Sequence, residues 1–268
     1  MNIHKTAIVS PKAELAKGVV VGPYSIIKEG VKIAENVNVG SFCMIEGNTT
    51  IGKNCQFFTG AVIGSIPQDK KFKVGSDVAL HIGENNVFRE YVTVNPGTND
   101  GGETVVGNDN LFMAYTHIAH DCVVGNSCVM ANNGTLAGHV TLEDMSVVGG
   151  LTAIHQFVRL GRLSIVGGCS KVVQDIPPFS TCDGHPARIY GLNSIGLRRA
   201  KIPLAKINLL KRAFKILFHS GLTKDTSLEK VKKELDTSVE LEHLLNFIKT
   251  SKRGVSGSSL RESEANGL

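Results

Sequence analysis

Residues Phe112-Met113-Ala114-Tyr115-Thr116-His117-Ile118-Ala119-His120-Asp121-Cys122-Val123-Val124-Gly125 carry an apolar side chain at every sixth position: Phe112, Ile118 and Val124. A small residue, Thr116 or Cys122, stands two places before each of the last two. An α-helical stripe recurs every 3.6 residues and an ordinary strand alternates every 2, so a period of six fits neither. It fits a parallel β-helix of hexapeptide units, in which short strands alternate with sharp turns and two side chains per unit point inward. The phase extends outward in both directions. From Ile3 it runs through Val9, Leu15, Val21, Ile27, Ile33, Val39, Ile45, Ile51 and Phe57 to Ile63, slips across residues 64–81, and resumes at Ile82, Phe88 and Val94. From Val106 it continues without a slip to Val172. Eleven, three and twelve units make 26. At three units per coil the solenoid has about nine coils and a length of roughly 40 Å at about 4.8 Å per coil.

Interruptions are where a solenoid inserts function. One is the polar loop Ser65–Asp77, which contains Gln68, Asp69, Lys70 and Lys71; the other, Pro96–Gly102, costs no phase. The repeat ends near Pro177-Pro178, where two prolines block further ladder bonds. Spacings of three and four then predict helices: one after Pro203 with Ile207, Leu210, Phe214 and Leu217, one from Ser227 with Val231 and Leu235, and one with Leu241, Leu244, Leu245 and Ile248. We therefore expect a β-helix domain over 1–187, an α-helical domain over 188–253 that covers the solenoid's free edge, and a disordered tail over 254–268.

Composition agrees with such a fold. Aromatics make up 6% of the 268 residues and tryptophan is absent, which suits a core of small β-branched side chains. Four of the six cysteines, Cys43, Cys55, Cys122 and Cys128, occupy the small inward place of the repeat and read as buried thiols in a reducing compartment. No apolar run approaches roughly 18 residues and the N-terminus lacks a signal-peptide pattern, so a cytoplasmic protein is expected. The net charge of +5 is uneven: residues 1–187 sum to −3 and residues 188–268 to +8. The basic end is either a solvated helical face or a surface for an acidic partner.

The period also stacks residues that are distant in sequence. Positions 18 apart lie one above another in adjacent coils, so His120, Gly138 and Gln156 share one corner, with His139 beside Gly138 and His117 half a unit before His120. A neutral histidine there is suited to general-base work, with Asp121 next to it. No serine or cysteine beside the histidines reads as an activated nucleophile, which favours direct transfer over a covalent intermediate. Gly138 lets a bare backbone N–H approach a reacting carbonyl.

The motifs His117-Ile118-Ala119-His120-Asp121-Cys122, Ala131-Asn132-Asn133, Leu136-Ala137-Gly138-His139, Ile154-His155-Gln156-Phe157 and Val166-Gly167-Gly168-Cys169-Ser170 resemble those of the UDP-N-acetylglucosamine 3-O-acyltransferases. The resemblance covers about residues 1–250. It implies a left-handed parallel β-helix with a helical C-terminal domain, and transfer of a 3-hydroxy fatty acyl group from acyl carrier protein to the sugar 3-hydroxyl in the first step of lipid A biosynthesis. His120 then matches the general base, Asp121 its support and Gly138 the oxyanion donor. Asp69, Lys71, His117, His139 and Gln156 match residues that position the nucleotide sugar, and Asn193 and Arg199 match its nucleotide end. Gly168 matches the position that limits acyl-chain length. No cofactor and no metal are implied, since the acyl-phosphopantetheine arrives on the carrier. The resemblance further implies a homotrimer with sites between neighbouring solenoids, no nucleic-acid partner and no stable membrane insertion. The chain departs from the family pattern at Ile195, at Ala200 and at Asn95.

Three other readings stay open on the residues alone. One is the N-acyltransferase of the same pathway, which typically carries an additional N-terminal domain. Another is a hexapeptide-fold zinc enzyme of the carbonic anhydrase type, with His117, His120 and His139 as ligands. The last is a non-catalytic binding solenoid.

Overall fold

The computed structural model describes residues 1–257. It is a left-handed parallel β-helix followed by four helices. Each of the 26 apolar positions of the repeat closes one short strand, from Asn2–Ile3 to Lys171–Val172. The strands stack into three sheets, here called A, B and C in the order the chain visits them from Asn2. Partners are 18 residues apart in uninterrupted coils, as in Val20↔Asn38 and His117↔Thr135. Across the first loop the step widens to 31 (Gln56↔Val87), and across the second to 24 (Thr93↔His117).

The two inward places of the hexad account for the core. Val21, Ile27, Ile45, Val94, Ile118, Leu136 and Val166 are buried at the strand ends, and Val19, Cys43, Cys55, Cys122, Cys128 and Val140 fill the small place. Burial pushes the Cys122 thiol up to about 12, so it stays protonated as a core residue. Phe57, Phe88 and Phe112 stack through three coils with centroids 4.8 and 4.9 Å apart. Each such pair is worth roughly 0.5–1.5 kcal/mol beyond its buried area. One non-glycine residue per turn adopts φ near +60°, among them Tyr91, Tyr115, Asp121, His139 and Phe157. The hexad ladder therefore overrides a local backbone preference at nearly every corner.

Residues 180–192 are a finding the period does not contain. Ser180–Gly184 and Ala187–Leu192 form an antiparallel hairpin that extends sheet A. The division expected after residue 187 cuts the second strand of this hairpin, and the helical part starts at Ser194. The helices are α1 (Ser194–Arg199), α2 (Leu204–His219), α3 (Lys224–Glu234) and α4 (Val239–Lys249). The short α1 has no apolar periodicity long enough to signal it. The helix expected from Ser227 begins a turn earlier, because the Thr223 hydroxyl caps it by accepting from Thr226 N–H.

The expected tail from Gly254 also needs correction within the described residues. Val255 bridges Asp175, Ser256 is buried, and Ile189 N–H donates to the Gly257 carbonyl. The rest of that tail, residues 258–268, lies outside the described residues. Asp175 is the knot that ties this strand to the solenoid. Its carboxylate is 2% exposed and accepts from Arg159 N–H at 2.9 Å, Arg159 Nε at 3.2 Å and Ser251 Oγ at 2.8 Å. Asp175→Ala leaves a partly buried guanidinium without its counter-charge. It is expected to lower unfolding free energy by about 3–5 kcal/mol, read from denaturant titration; a loss under about 1 kcal/mol would contradict the role given to Asp175.

Candidate active site

Both interruptions of the repeat sit on the same edge of the prism, the corner between sheets B and C. The first joins Val62–Ile63 to Ala79–Ile82, and the second joins Thr93–Val94 to Glu103–Val106. The next coil turns this corner at His120-Asp121, the one after at Gly138-His139, and the next at Gln156-Phe157. Loops and histidines thus share one edge over five successive coils, which is why sequence-distant polar residues meet there.

His120 is 12% exposed. Its Nδ1 lies 2.8 Å from Asp121 Oδ2. A carboxylate only accepts, so Nδ1 carries the proton and, in the neutral ring, Nε2 keeps its lone pair. Asp69, from the first loop, places Oδ2 3.8 Å from that Nε2. Asp121 is held from three sides: Thr98 Oγ1 donates to it at 2.6 Å, Thr98 N–H at 3.3 Å, and His139 Nε2 lies 3.6 Å away. Burial alone raises a carboxyl pKa, but the Thr98 and His120 hydrogen bonds and the nearby His139 prevail and hold Asp121 below its usual value. His139 meets His120 edge-on at 5.3 Å and stacks on Phe157 at 4.6 Å.

Gly138 lies against the His120 ring. A Cβ there meets His120 Cε1 at 2.3 Å and Nε2 at 2.6 Å. The Gly138 carbonyl accepts from Phe157 N–H, and His139 N–H donates to the His120 carbonyl, so backbone bonds fix this stack. Among the described residues the Gly138 N–H donates to no protein acceptor. That leaves one free donor beside the His120 ring.

His117 points outward from sheet B and shares a 2.6 Å hydrogen bond through Nδ1 with Thr93 Oγ1. Burial, and then the neighbouring His120, push its pKa below the ordinary histidine value. Neutral His117 therefore stabilises the fold fully above the unfolded value near 6.5, and the contribution is lost as pH falls through the lower folded value. The Tm of the wild type should fall between pH 7.5 and pH 5 more steeply than that of His117→Gln; parallel curves would contradict this.

The remaining expected residues are scattered. Gln156 is exposed at the stacked place one coil beyond Gly138, and Lys71 is exposed on the first loop, where its N–H donates to Asp69 Oδ1 at 2.8 Å. Gly168 lies on the corner between sheets A and B, open except for the Gly150 carbonyl 3.2 Å from a built Cβ. Asn193 belongs to the corner between sheets C and A. Its Oδ1 caps α1 by accepting from Gly196 N–H, and its Nδ2 donates to the Leu163 carbonyl. Arg199 is exposed at the end of α1. One chain therefore brings Asp69, His120, Asp121, Gly138 and His139 together, but not Gly168, Asn193 or Arg199.

Sequence reasoning missed Thr98, Thr93 and Phe157. Thr98 lies in an inserted loop that costs no phase, and the place of that insertion, one coil before His120, is the signal that marks it. The departure at Asn95 has a structural account: this buried residue donates from Nδ2 to the Ser65 carbonyl at 2.9 Å and ties down the first loop. Ile195 is 64% exposed, and Ala200 is the C-cap of α1. The ligand atoms of His120, Asp121 and His139 lie within 4.8 Å of one another, while His117 is not in that group.

Residues 175–256 match the family model described as UDP-N-acetylglucosamine O-acyltransferase, domain 2, and residues 103–138 match that of the bacterial transferase hexapeptide (six repeats). The chain is 52% identical to the acyl-[acyl-carrier-protein]–UDP-N-acetylglucosamine O-acyltransferase of Thermodesulfovibrio yellowstonii, over 94% of this chain and 98% of that one. It is 48% identical to the enzyme of the same name from Aliarcobacter butzleri, over 95% and 97%. Among solved structures it is similar to the UDP-N-acetylglucosamine acyltransferase of Campylobacter jejuni (TM-score 0.89, 39% identity, 96% and 99% covered). It is also similar to that of Francisella novicida (TM-score 0.92, 32% identity, 99% and 99% covered).

Proposed function

The chain belongs to the acyl-[acyl-carrier-protein]–UDP-N-acetylglucosamine O-acyltransferases, and on that premise we propose a direct transfer in which His120 is the general base. The single observation that carries this is the oriented pair: ionised Asp121 holds the Nδ1 proton of His120 and leaves Nε2 free beside an unsatisfied N–H of Gly138. His120 Nε2 takes the proton of the sugar hydroxyl as its oxygen attacks the thioester carbonyl. The carbonyl oxygen gains charge and is met by the Gly138 N–H. When the C–S bond breaks, the imidazolium returns its proton to the leaving thiolate, so atoms and charge balance. Asp121 and Asp69 both stand where they stabilise the transient imidazolium.

Acceptance at the sugar 3-hydroxyl, a 3-hydroxylated donor, a place at the start of lipid A assembly and a cytoplasmic site of action belong to the same proposal. Among the described residues no helix is long and apolar enough to cross a membrane. Asp69, Lys71, His117, His139 and Gln156 position the sugar, Asn193 and Arg199 the nucleotide, and Gly168 limits the acyl chain. Because these groups occupy three different edges of one prism, they converge only if neighbouring copies lend edges to each other, which supports a homotrimer. An exposed row on the A–B edge supports it further: Tyr24 stacks on Phe42, Tyr91 on Tyr115, and Leu151 and Gly168 follow along the same edge. A transfer assay with acyl carriers of several chain lengths and two acceptors, UDP-N-acetylglucosamine and its 3-amino analogue, read by mass spectrometry, tests the reading. A single O-acylated sugar nucleotide is expected, and absence of any acylated sugar would overturn it.

The zinc reading is set against the family match and against the donor set, which offers two histidines and Asp121 rather than three histidines. Stoichiometric zinc in active enzyme would favour it. The basic C-terminal end, with exposed Lys211, Arg212 and Lys215 on α2, fits an acidic carrier protein. The donor KM is expected to rise at least ~10-fold between 50 and 500 mM salt while the acceptor KM changes little; a flat donor KM would contradict this.

A further inference from the structure

The second interruption, Pro96–Gly102, does something the ladder does not need: it carries Thr98 across to the next coil. Its two ends are pinched together. A Cβ on Gly97 runs into the Gly102 carbonyl, so the ends approach this closely only with glycine at 97. Gly97 N–H donates to the Ala79 carbonyl at 3.2 Å, Ala79 N–H to the Gly102 carbonyl at 3.0 Å, and Gly101 N–H to the Asp77 carbonyl at 2.7 Å. Backbone bonds to the end of the first loop and to the strand after it therefore fix the place of Thr98, which is 8% exposed.

Its hydroxyl is aimed at one atom. Thr98 Oγ1 donates at 2.6 Å to Asp121 Oδ2, the same oxygen that lies 2.8 Å from His120 Nδ1, and Thr98 N–H reaches Oδ1 at 3.3 Å. Against burial, which raises a carboxyl pKa, the Thr98 hydroxyl is the leading influence that holds Asp121 below its usual value. Without that hydroxyl the His120–Asp121 pair takes up a proton at higher pH, whichever member receives it. In either form Nε2 is lost as a base. It carries a proton in the imidazolium, and also in the tautomer whose Nδ1 accepts from a protonated Asp121. The charged and titratable groups around the pair do not replace Thr98. Asp69 Oδ2, 3.8 Å from Nε2, favours the imidazolium; His139 Nε2 is 3.6 Å from Asp121 Oδ2; burial pushes His117 toward its neutral ring; and buried Cys122 stays protonated.

We propose that Thr98 is a positioning residue for the base: its hydroxyl restrains Asp121 so that the His120–Asp121 pair stays free of the extra proton at neutral pH and keeps the Nε2 lone pair for the acceptor. The proposal rests on the reading of His120 as the base. It also gives a reason for an insertion that costs no phase yet stands one coil before His120, because the extra residues bring the one neutral donor that offsets the pull of Asp69.

The test follows acceptor kcat/KM against pH in full-length wild type, Thr98→Val and Thr98→Ser, since this profile reports the protonation of the free enzyme. In Thr98→Val the acid limb should move up by roughly 0.5–1 pH unit, because a hydrogen bond to a charged group is worth about one to two such units in full and the pair feels part of it. Below the limb the rate then falls about 3–10-fold, while at pH 8.5 it stays within ~2-fold of wild type. Thr98→Ser keeps the hydroxyl and should leave the limb within ~0.2 unit. Thr98→Ala serves if the valine variant does not fold. Histidine 15N spectra recorded across the same pH range should show the same displacement in the resting protein, without turnover. A loss in Thr98→Val that is equal at every pH, an unmoved 15N titration, or a limb that moves as far in Thr98→Ser overturns the proposal. Failure of the base reading shows separately, as turnover that survives His120→Ala.

Discussion

His120→Ala should lose about 10²–10⁴-fold in kcat with a Tm close to wild type and both KM values little changed. The loss follows from the proton. Without Nε2 the acceptor hydroxyl loses the oriented base that lies against Gly138. Asp121 cannot substitute, because its carboxylate is already committed to Thr98 and lies behind the imidazole. The fold should survive because backbone ladders hold the corner, including His139 N–H to the His120 carbonyl, a bond that alanine also makes. Circular dichroism and kcat measured on the same preparation check both halves, and a variant with wild-type kcat would remove His120 from the mechanism.

Gly138→Ala is the second large effect, and it arises from packing rather than from lost chemistry. The added methyl meets the His120 ring at 2.3–2.9 Å on three atoms, closer than real Cβ contacts allow. The ring must swing, which stretches the 2.8 Å bond to Asp121 and moves Nε2 away from the free N–H. A misplacement of about 1 Å can cost on the order of 10²-fold, so kcat should fall by that order or more while donor KM stays within a few-fold. A shift in the pH dependence of kcat that His120→Ala cannot show would mark displacement of the base rather than loss of the donor. Wild-type activity in Gly138→Ala would mean that the ring has room the structure does not give it.

The solenoid was legible because its hexad is periodic. Ile3 through Val172 mark the ends of all 26 strands, and Thr116 or Cys122 marks the small inward place. The same arithmetic placed His120 over Gly138 and Gly138 over Gln156. Features outside the period were not legible. The hairpin of Ser180–Leu192 and the short α1 follow from packing at the solenoid's end, and residues 254–257 are ordered by backbone bonds to Asp175 and Ile189 rather than by their own polar composition. Thr98 reaches Asp121 only because a loop folds back over the next coil. Asn193 shows the opposite limit: resemblance gives it a ligand role, while in this chain its side chain spends one donor and its acceptor on the α1 cap and Leu163. The period contains the placing of Gly168 and His120 on different edges once the corners are assigned, whereas Asn193 lies beyond the repeat and its edge is set by the hairpin.

If His120 activates the acceptor for direct attack, no acyl group rests on the protein at any stage. Intact-mass measurement of the enzyme, mixed first with acyl carrier protein alone and then with UDP-N-acetylglucosamine, tests it most directly. An unchanged protein mass is expected in the first mixture, and O-acylated sugar nucleotide only in the second. A protein heavier by one acyl group in the first mixture, which then passes that group to the sugar, would contradict it.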